Sequence, residues 1–151
     1  MFRGATKVTL DDKGRVVIPT RYRPFVAERS GGRMVVTVDP RDTCLLIYPY
    51  PDWEAIEQKL MKLPTLNPQA RRLQRLMVGH ATEVELDGHG RMPLSPELRE
   101  FAGLTRGAML IGQGNRLELW DEARWNEQRQ AWLESEQSAT AMPTELDSLS
   151  L

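Results

Sequence analysis

Cysteine occurs once in the 151 residues, at Cys44, so no disulfide can form within the chain and the sequence fits a reducing compartment. Cys44 lies in the apolar run DTCLLIYPY and reads as a small buried hydrophobe rather than a nucleophile. Histidine occurs only as His80 and His89, so no Cys/His cluster has metal-ligand spacing. The chain also lacks a G-x-G-x-x-G fingerprint, a phosphate-binding G-x-x-x-x-G-K-S/T loop and a G-x-S-x-G elbow. GHG at 88–90 is a turn before it is a general base. The expectation is a protein that is not an enzyme, with no cofactor and no metal. No stretch approaches the roughly 18 consecutive apolar residues of a spanning helix. MFRGATKVTL has no apolar run followed by a small-residue cleavage site, so the expected location is the cytoplasm, with no membrane partner.

Excess charge of one sign is missing too: the formal net charge is −1, which by itself argues against nonspecific nucleic-acid binding. The distribution argues otherwise. Residues 1–33 carry eight bases (Arg3, Lys7, Lys13, Arg15, Arg21, Arg23, Arg29, Arg33) against Asp11, Asp12 and Glu28. Residues 134–151 carry Glu134, Glu136, Glu145 and Asp147 and no base. A polyanion approaching the basic head feels the local field more than the average. The Ser- and Thr-rich tail reads as loosely ordered, with a short docking segment.

What is present, and unusual, is a duplication. VTLDDKGR at 8–15 returns as VELDGHGR at 84–91, 76 positions later, with Val, Leu, Asp, Gly and Arg unchanged. The match continues as RVVIPTRYRPF over RMPLSPELREF, sharing Arg15/Arg91, Arg23/Arg99 and Phe25/Phe101. It resumes as LLIYPYPDW over LELWDEARW at an offset of 72, and the slip is assigned to the ERSGGR segment. Each half reads as strand, turn, strand, short helix, two strands and a helix. Val8, Leu10, Val16 and Ile18 point inward, Gly14 sits in a turn needing positive φ, and Gly114–Asn115 joins a hairpin. Trp53, Ile56, Leu60 and Leu63 share one helix face, and Trp125 and Trp132 share another. Between the halves, NPQARRLQRLMVG is a capped helix with Asn67 as N-cap, Leu73, Leu76 and Met77 as its apolar stripe, and Gly79 after its end.

The fold class is therefore α+β, mainly β: two repeated halves interleaved about a pseudo-twofold, with peripheral helices. The divisions expected are 5–52 and 81–124 for the two halves, 53–80 for a helical linker, and 125–151 for a C-terminal helix and acidic tail.

These residues carry a resemblance. MFRGATKVTLDDKGRVVIPTRYR, with a second Asp-x-x-x-Arg at Asp87–Arg91, closely resembles the MraZ proteins of bacteria. Each half resembles a SpoVT–AbrB-type domain, a small swapped-hairpin β-barrel that binds DNA. The resemblance covers all but the last fifteen or so residues. It implies a sequence-specific transcriptional regulator of the division and cell-wall gene cluster, including its own promoter. It also implies assembly into rings that bind short direct repeats on double-stranded DNA, hence a nucleoid-associated homo-oligomer. The second motif departs from the first where Gly88 and His89 replace Asp12 and Lys13. An antitoxin-like protein-binding module is the alternative, with the acidic tail as the partner-binding segment; two fused halves argue against it.

The chemistry suits the motif. The fork of arginine matches guanine O6 and N7, or a phosphate, with two donors at once. Arg15 and Arg91 are the candidate reading residues. Asp11 and Asp87 either hold those guanidinium groups or bond the turn amides, and Gly14 and Gly90 shape the turns. The plain structural alternative is that each Asp–Arg pair only closes its own turn. Lys13 and His89 at the turn tips are placed to reach phosphates, and Arg3 and Lys7 to extend that footprint or simply to face solvent. Arg71, Arg72 and Arg75 form a solvated helix face or meet acids of a neighbouring subunit. The four tryptophans have core spacing. Two reading arginines are too few for tight binding, so several chains side by side are expected, excluding polymerase from a promoter.

Overall fold

The computed structural model describes residues 1–139 and 143–150. In chain order the elements are β1 (Phe2–Thr9), β2 (Arg15–Val17), α1 (Arg23–Ser30), β3 (Arg33–Val38), β4 (Leu45–Pro49), α2 (Tyr50–Met61), α3 (Pro68–Met77), β5 (Thr82–Glu85), β6 (Arg91–Pro93), α4 (Pro96–Phe101), β7 (Gly107–Gly114), β8 (Leu117–Asp121), α5 (Glu122–Ser138) and α6 (Thr144–Asp147). Local chemistry sets several of these ends. Asn67 caps α3 by accepting from the Gln69 and Ala70 amides, and Ser95 caps α4 by accepting from Leu98. Both helices then carry proline at the start, where its missing N–H costs nothing.

The two halves exchange strands. One antiparallel sheet runs β1-β7-β8-β4-β3-β5, and β2 pairs with β6 in a separate ribbon. Exchanging each strand for its repeat counterpart and reading from the other edge returns the same order, so the sheet has the pseudo-twofold of the sequence. Each half's opening strand pairs with the other half's hairpin: β1 with β7 and β5 with β3. Val16 meets Met92 at the middle of the ribbon, and Leu46 meets Glu118 between β4 and β8. Both are pairs of repeat counterparts, so the pseudo-axis passes through them.

Those registers correct the position of the repeat slip. Thr9 and Glu85 are counterparts, and they stand opposite Gly107 and Arg33 respectively. Arg33 and Gly107 therefore correspond at an offset of 74, and β4 and β8 at 72. Half of the slip lies before β3, as ERSGGR suggests. The other half lies in the β3–β4 connection, where residues 39–44 replace the tight Gly114–Asn115 turn closed by Gln113 N–H to Arg116 O at 2.9 Å. Gly79 follows the C-cap Val78 of α3, as expected, but it is not left-handed. Its φ is not positive, and a Cβ there would lie 2.2 Å from the Arg75 carbonyl oxygen.

Burial follows the strand alternation. Leu10, Val16, Ile18, Met92 and Leu94 pack with Met34, Val36, Leu45, Ile47, Leu110 and Leu119 between the ribbon and the sheet. Val8 joins them half-buried. On the other face, Val35, Leu46, Tyr48 and Trp120 are covered by Trp53, Leu60 and Met77 from α2 and α3. Each such aliphatic side chain stabilises the fold by about 1.5–3 kcal/mol relative to exposure, which keeps the ribbon fixed to the sheet. The tail is more regular than its composition suggests: α5 continues through Ser138, and Thr144–Asp147 forms a further turn of helix. The tail reading at 140–142 and 151 lies outside the described residues.

Candidate nucleic-acid interface

Both duplicated octamers fold into the same five-residue turn. In the first, the Asp11 amide donates to Arg15 O at 2.9 Å and the Gly14 amide to Asp11 O at 2.9 Å. Asp11 Oδ1 accepts from the Lys13 and Arg15 amides at 2.9 and 2.8 Å, while Oδ2 accepts from Arg15 Nε at 2.7 Å. In the second, Asp87 Oδ1 accepts from the His89 and Arg91 amides at 2.9 Å each, and Oδ2 from Arg91 Nε at 2.6 Å. The two roles open for these aspartates therefore coexist, one on each carboxylate oxygen. The hydrogen bond from the Arg91 amide, aided by its guanidinium and the His89 amide, holds the Asp87 carboxyl down at about 2. The same arrangement lowers Asp11.

Gripping Nε leaves the outer edge of each guanidinium open. Among the described residues, the Nη atoms of Arg15 and Arg91 donate to no protein acceptor. The ribbon decides where those edges face. Val16 and Met92 point into the core at 0% exposure, so Arg15, Val17, Arg91 and Pro93 share the opposite, outward face. Arg15 stands opposite Pro93 and Arg91 opposite Val17. Diagonal neighbours on such a ribbon are about 7–8 Å apart, roughly two base-pair steps of a duplex. Both side chains are partly exposed, at 28% and 35%.

A second arginine pair, which spacing alone did not mark as part of the site, fixes the turns. Gly14 and Gly90 both have φ of 73° and are buried. A Cβ on Gly14 would lie 2.6 Å from Arg99 Cζ, and one on Gly90 would lie 2.3 Å from Arg23 Nε. Each arginine comes from the opposite half and is tied by Nε to a carbonyl beside the ribbon: Arg23 to Ile18 O at 3.0 Å, Arg99 to Leu94 O at 3.2 Å. The sequence signal existed, since Arg23/Arg99 is one of the shared pairs, but only the strand exchange shows what they cover.

The remaining candidates separate. Lys13 and His89 are exposed at the two turn tips, beside the arginines. Lys7 turns instead toward α5, 3.3 Å from Glu122. Arg3 is exposed near the far end of β1, separated from Asp11 by about 20 Å or more of extended chain. Its carbonyl accepts from the Tyr22 hydroxyl. Arg71, Arg72 and Arg75 are exposed on α3, away from the ribbon in the chain. Trp53 and Trp120 are core residues at 3% and 1%, whereas Trp132, packed edge-on against Trp120 and Trp125, is 41% exposed. No helix among the described residues is long and apolar enough to cross a membrane.

Two strand-exchanged repeats, each contributing an Asp-oriented arginine to one outward ribbon, define a fused double-repeat barrel. The family model described as "MraZ protein, putative antitoxin-like" matches residues 1–76 and again 77–147. The chain belongs to the MraZ family. A Thioalkalivibrio sulfidiphilus (strain HL-EbGR7) protein named Transcriptional regulator MraZ is 54% identical over 151 residues, covering 100% of both chains. Proteins of the same name from Salmonella paratyphi B (strain ATCC BAA-1250 / SPB7) and Salmonella newport (strain SL254) are 53% identical over 152 residues, again covering 100% of both.

Proposed function

We propose that this protein is a transcriptional regulator that binds double-stranded DNA sequence-specifically through Arg15 and Arg91. The carrying observation is the open Nη edge of both guanidinium groups, held by Asp11 and Asp87 on one outward ribbon. An arginine whose Nε is occupied still offers the end-on pair of Nη donors, which suits guanine O6 and N7 in a major groove. A two-stranded ribbon is narrow enough to enter that groove. Lys13 and His89, flanking the arginines, supply phosphate contacts; the different tips make the two turns unequal readers.

Each good bidentate contact discriminates by about 1–3 kcal/mol, so two per chain need multiplication by neighbouring copies. Short direct repeats call for copies related head to tail, and such an arrangement closes into a ring. The protein then represses by occupying the promoter of the division and cell-wall cluster, its own included, on nucleoid DNA in the cytoplasm.

A gel shift on the DNA upstream of the gene tests this. Wild type shifts repeat-bearing fragments, Arg15→Ala does not, and Arg91→Ala is weakened. Unchanged binding by both variants contradicts the assignment, and a salt-insensitive shift favours a protein-binding role instead.

A further inference from the structure

We propose that the groove beside α3 is the docking site for the C-terminal segment of a second copy of this chain. The groove encloses about 450 Å³ between α3, the α2–α3 connection and the β3–β4 connection. Leu63, Leu73 and Leu76 form its apolar floor, with Pro40, Arg41 and Arg72 on the rim. Its lining carries Arg41 and Arg72 and no Asp or Glu. Residues 58–82 contain Lys59, Lys62, Arg71, Arg72 and Arg75 and no Asp or Glu. Among the described residues, none of the three α3 arginines forms an ion pair. Leu66 in the α2–α3 connection and Met61 at the end of α2 are 94% and 56% exposed. An exposed apolar strip edged by unpaired bases fits a segment that is both apolar and acidic.

The chain contains one such segment. Residues 134–151 carry Glu134, Glu136, Glu145 and Asp147 with no Lys or Arg. Leu146 in α6 is 44% exposed and Leu149 after it is 55% exposed. Among the described residues nothing fills the groove, and Leu146 and Leu149 are exposed, so a second copy is the source of the complement to each. Phosphates could satisfy Arg71, Arg72 and Arg75, but they would leave Leu66 and Met61 in water, which is why the acidic tail is the better occupant. A tail-in-groove contact is heterologous, joining different surfaces of successive copies, and such contacts build closed rings or open chains. Closure engages every copy twice and raises the effective concentration of each contact.

The inference stands apart from the DNA reading and is tested by sedimentation velocity on the full chain, with DNA affinity measured beside it. Two charge-reversed sets are compared, Arg41→Glu with Arg72→Glu and Glu145→Arg with Asp147→Arg, together with the double set carrying all four. Each set alone is expected to drop the oligomer to a single chain, and the double set to restore it. Leu146→Asp with Leu149→Asp should dissociate it as well, with a thermal midpoint like that of wild type because both side chains are exposed. A monomeric wild type, full-size oligomers from both single sets, or no restoration in the double set overturns the proposal. A groove set that keeps its mass but loses DNA affinity also overturns it and makes the groove a phosphate surface.

Discussion

Arg99, carried by α4 of the second half, covers Gly14 in the turn of the first, with Cζ 2.6 Å from where a Cβ would stand. Arg23 does the same to Gly90. Neither turn is therefore built by its own half alone. Replacing Gly14 or Gly90 by Ala imposes a left-handed conformation costing roughly 1–2 kcal/mol and also displaces the covering arginine. Both variants should lower the urea midpoint, each by more than that conformational cost alone. A midpoint shift no larger than for alanine at the exposed Gly88 would show that the arginines yield freely.

Asp11 and Asp87 give the turns a defined pH response. Their carboxyls are held below the ordinary value of 3.8, Asp87 at about 2, chiefly by the amides of Arg15 and Arg91. A depressed folded-state pKa contributes stability that is complete above 3.8 and is lost as pH falls toward 2. Carboxyl carbon shifts followed by NMR should show Asp87 titrating near 2 and Asp11 below 3.8. In Asp87→Asn that component of acid destabilisation should disappear. An Asp87 midpoint at or above 3.8 contradicts the hydrogen bonding described.

Much of this fold could be read from residues alone, because the duplication exposes its own symmetry. Leu10, Val16 and Ile18 are inward where alternation places them, and Asn67 caps the helix it precedes. Strand exchange was less legible: β1 pairing with β7 is a long-range choice that no local pattern encodes. The same reason hid the Arg23 and Arg99 contacts. The divided slip is not legible in the sequence because residues 39–44 lengthen a connection without disturbing either strand's periodicity. At the site, the Asp–Arg spacing allowed two bonding patterns, and only coordinates show that the two carboxylate oxygens serve both.

Cys44 should be inert. It is 0% exposed, and burial, reinforced by Glu118, Asp39 and Asp42, pushes its thiol far up from its ordinary value. Its Sγ lies 3.8 Å from Asp39 Oδ2 as a donor. A thiol reagent should label no group in the native protein at neutral pH and one group after unfolding. Rapid native labelling contradicts this burial.

Thr37 is the one buried polar side chain among the described core residues, and its hydroxyl donates to the Met77 carbonyl at 2.6 Å. This bond ties β3 to the last turn of α3, which lines the proposed docking groove. Thr37→Val leaves that carbonyl without its donor, so a loss of about 1–3 kcal/mol is expected. Thermal unfolding checks it; a neutral substitution would mean that the bond adds nothing to holding α3.

The central claim is that Arg15 reads base edges with a fork held by Asp11, rather than merely supplying charge. Arg15→Lys separates these, because lysine keeps the charge and loses the planar pair of donors. The decisive measurement is the ratio of affinities for repeat-bearing and scrambled duplex, taken for wild type and Arg15→Lys across a salt series. The account predicts that the ratio falls by about 5- to 150-fold per contact, equivalent to about 1–3 kcal/mol, while the salt slope stays the same. An unchanged ratio would contradict it and reduce Arg15 to a phosphate contact or a turn brace.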